Sequence, residues 1–140
     1  MNKLFIQSYM TIGQIQADFN QAFPFLKLEF FIRKNIPKRT LSLRDRVDPG
    51  IRIGGNAVLE EKSALEVNSG MKVSELERKF FELFGLSAQV YRKSGRAWIE
   101  TTLTDDWSLE MQNTEGRELS DMPRRSLQQE LDNQDGPEVE

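Results

Sequence analysis

The stretch "SELERKFFELFGLSAQVYRKSGRAWIETTL", Ser74 to Leu103, decides the fold. Its first part repeats apolar residues at helical spacing, with Leu76, Phe80, Leu83 and Phe84 at i, i+4, i+7 and i+8. Ser74 with Glu77 has the form of a capping box, and Gly85 supplies the stop. The period then changes to two. "SAQVYRK" and "RAWIETTL" read as strands joined by a two-residue turn at Ser94-Gly95. A helix therefore runs into a hairpin.

The same grammar appears nearer the N-terminus. "KLFIQSY" (3–9) alternates as a strand, and Thr11 with Gln14 forms a second capping box. Ile12, Ile15, Phe19, Ala22 and Phe23 make one apolar helical face that Pro24 ends. "LKLEFFIRK" (26–34) is a clear strand, with Leu26, Leu28, Phe30 and Ile32 on one face. "SALEV" (63–67) precedes the second helix as a short strand.

The order strand-helix-strand, loop, strand-helix-strand-strand predicts an α+β fold. Its expected form is a ferredoxin-like sandwich, with both helices on one face of a mostly antiparallel sheet. The two halves share this pattern and no convincing sequence repeat. Residues 1–116 form the expected domain. The loop 35–62 carries Pro37, Asp48-Pro49-Gly50 and Gly54-Gly55, all turn signals. Residues 104–116, "TDDWSLEMQNTEG", fit a strand by the alternation of Trp107, Leu109 and Met111. Acidic residues at the start and Gly116 at the end favour a short helix. Residues 117–140 hold three basic and seven acidic groups and two prolines, which predicts a disordered acidic tail.

Composition removes several chemistries. The chain has no cysteine and no histidine, so thiolate zinc sites, cysteine nucleophiles and histidine acid–base catalysis are excluded. A metal would need oxygen ligands alone. Asp105 and Asp106 with Glu100 are the one acidic group to consider for such an enzyme. Adjacent aspartates more commonly cap a turn or helix, so no metal or cofactor is expected. "GIRIGG" lacks both the GxGxxG spacing and a Walker lysine. No run approaches the ~20 apolar residues of a membrane span, and the start lacks a secretory core, so a cytoplasmic protein is expected.

With the turn at Ser94-Gly95, Tyr91 faces Trp98 and Lys93 faces Arg96, while Val90 and Ile99 lie under the helices. Phe5, Tyr9 and Phe31 then join Tyr91 and Trp98 on the opposite face, which is aromatic over an aliphatic core. Residues 104–116 folding back would cover that face. A protein partner or a second copy would bury it too. Single-stranded nucleic acid could stack on it, with Lys38, Arg39, Arg44 and Arg46 of the basic loop meeting phosphates. Against that last reading, the ribonucleoprotein signature is absent and the domain is close to neutral.

The features "FGL", "QV", "RKSG", Trp98, "TDDW" and "QN" resemble a region of small uncharacterised bacterial proteins. The likeness spans 73–116 and, more weakly, "FPFLKLEFF". It implies a bacterial cytosolic source and carries no activity or catalytic residue. The resulting expectation is a non-enzymatic protein-binding or regulatory module. Its interface comprises Phe31, Tyr91 and Trp98, fringed by Lys93 and Arg96.

Overall fold

A computed structural model describes residues 3–32, 45–55 and 64–121. Its elements are β1 (Lys3–Gln7), α1 (Ile12–Ala22), β2 (Leu26–Ile32), β3 (Ala64–Asn68), α2 (Val73–Phe84), β4 (Leu86–Ser94), β5 (Ala97–Glu100) and α3 (Leu109–Asp121). The α+β class is as the sequence predicts. The sheet is not. Among the described residues the strands form two antiparallel sheets, β1-β3 and β2-β4-β5, rather than the single sheet of a ferredoxin-like sandwich.

α1 begins as expected, with both hydrogen bonds of the Thr11–Gln14 capping box present. It buries Ile12, Ile15 and Phe19, and Phe19 packs on Phe23 with ring centroids 5.2 Å apart. α2 begins earlier than its Ser74–Glu77 motif implies. Its N-cap is Lys72, with no side-chain cap. The first amides instead reach backbone carbonyls of a neighbouring turn: Val73 N donates to Trp107 O (3.0 Å) and Ser74 N to Asp105 O (2.7 Å). Orphan helix donors need a partner of some kind, and a well-placed loop removes the need for a side-chain cap. Glu77 is thereby released to accept from Val90 N at 3.1 Å.

Gly85 closes α2 in the left-handed region, φ 72°. The core is one cluster in which Phe30 meets Phe80 edge to face, centroids 4.8 Å apart. Leu83, expected on the buried stripe, is exposed, as is Phe81.

The two halves repeat each other in hydrogen bonding although they do not in sequence. Met10 N donates to Gln7 O, and Met71 N to Asn68 O. Ile12 N and Gly13 N donate to Ile51 O and Pro49 O, as Val73 N and Ser74 N do to Trp107 O and Asp105 O. Ile53 N returns to Met10 O, and Leu109 N to Met71 O. Isolated bridges Thr11–Arg52 and Lys72–Ser108 complete the correspondence. Each half is a strand, a helix, a second strand and a turn that ties down the helix start.

The halves are related by an approximate two-fold axis. Phe5 and Glu66, which occupy matching positions, also pair with each other across β1 and β3. Leu28 and Val90 do the same across β2 and β4. At matching helix positions, Gln16 Nε2 donates to Leu28 O (2.9 Å) while Glu77 accepts from Val90 N. These side chains occupy the outer edges of β2 and β4 where main-chain groups would otherwise lack partners.

α3 resolves the ambiguity of 104–116 in favour of a helix and continues through residues 117–121, beyond the expected start of the tail. The rest of the tail lies outside the described residues. α3 packs on the core side of the hairpin sheet, with Leu109 and Gln112 fully buried. Gln112 accepts from Arg92 Nη1 at 2.8 Å and donates to both oxygens of Thr104 at 2.8 Å. Trp107 lies under the Arg92 guanidinium, 5.6 Å from ring centroid to Cζ. Of the three ways of burying the Tyr91–Trp98 face, covering by residues 104–116 therefore does not occur: these residues pack on the other side of the sheet. Among the described residues no helix is long and apolar enough to cross a membrane.

Candidate functional site

The hairpin turn falls one residue later than its sequence reading. Ser94 pairs with Ala97, so Gly95 and Arg96 are the turn residues. Gly95 has φ 63°. Turns compatible with strand twist need positive φ at their first central position, which suits glycine and strains Ser94. The pairing consequently moves by two residues: Lys93 lies opposite Trp98, Arg92 opposite Ile99 and Tyr91 opposite Glu100. A shift of two preserves the face of every side chain, so Tyr91 and Trp98 still share a surface. They are diagonal neighbours rather than a direct pair.

Lys27 of β2 fills the space between the rings. It pairs with Tyr91 in the ladder, and its ammonium lies 5.4 Å from the Tyr91 centroid and 5.2 Å from that of Trp98. One cation thus serves two rings, which fixes both and exposes part of each. Sequence reading missed Lys27. The β2–β4 register needed to find it depends on strands joined through the loop and a second helix. Lys27 also approaches Glu29 (4.0 Å), which Arg46 reaches at 3.5 Å.

Burial raises the Tyr91 pKa above the ordinary tyrosine value of 10.0, and the carboxylates of Glu100, Glu29 and Glu77 add to the rise against an opposing effect from Arg46. The field at this phenol therefore leans negative.

Phe31 does not belong to the open surface. It is 4% exposed, and beside it residues 45–47 meet the outer edge of β2 through an Arg46 bridge and Val47 N donating to Phe30 O at 2.8 Å. Arg46 itself is exposed. Phe5 and Tyr9 lie in and after β1, in the other sheet, and do not join Tyr91 and Trp98. Ile99, expected inside, is 37% exposed. Arg96 is exposed at the hairpin tip and Lys93 is half-buried. Lys38, Arg39 and Arg44 lie outside the described residues. Among the described residues no three acidic groups converge as a metal site requires; Asp105 contributes its carbonyl to the start of α2.

The hairpin's remaining edge is the most reactive feature of this surface. Thr101 N donates to Val90 O at 3.3 Å. Antiparallel ladders alternate, so Arg92–Ile99 is a hydrogen-bonded pair and the main-chain groups of Trp98 and Glu100 point outward from β5. Among the described residues no strand pairs with that edge. β5 thus presents outward N–H and C=O groups, with part of Trp98 on one face and Ile99 on the other. Comparison of the chain with protein families, with curated proteins and with solved structures finds no match.

Proposed function

We propose that this chain is a non-enzymatic protein-binding module that engages its partner through the β4–β5 hairpin. The observation that carries the reading is an edge strand whose outward main-chain groups are flanked on both faces by partly exposed apolar side chains. Such an edge pairs readily with another strand, main-chain bonds supplying affinity and alternate side chains supplying specificity. The simplest partner is a second copy, joined β5 to β5 in antiparallel register about a two-fold axis. Tyr91 and Trp98, with Lys27 between them, then form the aromatic part of the interface, and Lys93, Arg96 and Glu100 its polar rim.

A single-stranded nucleic acid is a poorer fit to the same face. Lys27 already occupies the space between the two rings, and Glu29 and Glu100 lie beside Tyr91 where phosphates would have to approach. The resemblance to small bacterial proteins adds no activity to either reading.

Glu100→Pro tests the proposal. The Glu100 amide points away from β4, so proline removes an edge donor without costing a ladder bond. The substituted chain is expected to remain folded and to lose self-association measured by light scattering. Unchanged association by the folded variant would place the interface elsewhere. Nucleic-acid binding that steepens with falling salt and survives Glu100→Pro would favour the other partner class.

A further inference from the structure

The approximate two-fold symmetry makes each half a control for the other, and one surface breaks it. Between β1 and α1 lies an open groove of about 550 Å³ lined by Phe5, Gln7, Tyr9, Met10, Gln14, Ala17 and Asp18. The Phe5 and Tyr9 side chains are 55% and 67% exposed. Asp18 has no ion pair among the described residues, and it is the only charged residue of α1.

The matching surface of the second half is built differently. Phe5 corresponds to Glu66, Tyr9 to Gly70, Gln14 to Glu75, Ala17 to Arg78 and Asp18 to Lys79. There the charges have partners: Lys79 pairs with Glu75 at 3.7 Å and Arg78 with Glu82 at 3.2 Å within α2, and Glu66 reaches across the sheet to Lys3 of β1 at 3.5 Å. Where one half presents paired charges, the other presents two open rings and a carboxylate with no ion pair among the described residues.

We infer that this groove receives an arginine side chain presented by a partner polypeptide. Aromatic faces and a carboxylate attract the same kind of group, a cation that can stack and donate at once. The planar guanidinium does both, forking to Asp18 while lying over Phe5 or Tyr9. The source follows from magnitude. One ring contact and one exposed ion pair fall short of the cost of immobilising a free small molecule, so the cation must arrive tethered to a larger surface. The groove belongs to the β1–β3 sheet and is independent of the hairpin.

The test probes the full chain with an array of short peptides bearing a central arginine, each beside a citrulline twin that keeps the shape and loses the charge. A subset of arginine peptides is expected to bind at least tenfold more tightly than the twins, with amide resonance shifts at Phe5, Tyr9, Ala17 and Asp18. Asp18→Asn, nearly isosteric, should weaken them at least tenfold. Tyr9→Ala, which removes a largely exposed ring, should weaken them as well. Equal binding of citrulline twins, indifference to Asp18→Asn, or no binding by any arginine peptide overturns the inference. Binding of N-acetyl-arginine amide as tight as that of the best peptide overturns the tethered source.

Discussion

Tyr91 reports the character of the hairpin surface. Its phenol is disfavoured from ionising first by burial and then by Glu100 and Glu29. A phenol whose folded pKa lies above its unfolded value contributes stability below about pH 10, and that contribution is lost as pH rises through the folded value. In a Tyr9→Phe background, where Tyr91 is the remaining tyrosine, phenolate absorbance should titrate with a midpoint above 10. Glu100→Gln should lower that midpoint. A Tyr91 that titrates at the ordinary value would mean that the ring is freely hydrated. Trp98→Ala removes a half-exposed ring and its contact with Lys27. The expected loss of folding stability is about 1 kcal/mol, the range of partly exposed contacts. A loss typical of buried aromatics, about 3–5 kcal/mol, would make Trp98 part of the core rather than of an interface.

At the scale of elements, the packing of α3 depends on one small residue. A Cβ on Gly116 would lie 2.9 Å from Phe25 Cβ, 3.1 Å from Phe25 O and 3.2 Å from Arg92 Cγ. Two of these neighbours belong to the approach to β2, which Asn113 also holds by accepting from Phe25 N at 2.9 Å. Gly116→Ala should therefore destabilise the chain by roughly 1–3 kcal/mol through overpacking. By contrast Gly85→Ala meets no neighbour and is strained only by its left-handed backbone, an expected cost of about 1–2 kcal/mol. Thermal or urea unfolding of the two variants would check both values.

The elements that local chemistry specifies were legible in the sequence. The Thr11–Gln14 box, the α1 stripe, the Gly85 stop and the strands β2 and β4 follow from neighbouring residues, but burial does not alternate along those strands: Ile32, expected inside, is exposed, and Ser87 and Gln89 are buried beside Ala88 and Val90. The Ser74–Glu77 box was misleading because a turn distant in sequence had already satisfied the α2 amides. The hairpin turn was misplaced by one residue because Ser-Gly and Gly-Arg both suit a short connection, and only the glycine tolerates the required φ. Phe31 was assigned to the open face by alternation along β2, which gives the face of a side chain and not whether that face is covered: Phe31 is 4% exposed.

For the whole molecule, the repeated bonding scheme is the organising fact. It was illegible because main-chain hydrogen bonds define it, and Pro49 and Asp105, or Ile53 and Leu109, can serve alike without resembling one another. Sheet assignment was illegible for the same reason: pairing β1 with β3 and β2 with β4 follows from the two-fold relation, which alternation along single strands does not encode. The symmetry also explains why the two sites stand apart. β5 lies beside β4, the outer edge of β2 is met in part by the Arg46 bridge and the Val47 amide, and among the described residues nothing pairs with the outer edge of β5.

The most direct measurement is the molar mass of the full chain by light scattering across a wide concentration range, alongside Glu100→Pro. Pairing through β5 should give a dimer that dissociates on dilution, and a Glu100→Pro chain that stays monomeric with nearly unchanged melting. A dimer that persists in the folded Glu100→Pro variant, or a parent chain that is monomeric throughout, would contradict pairing through β5.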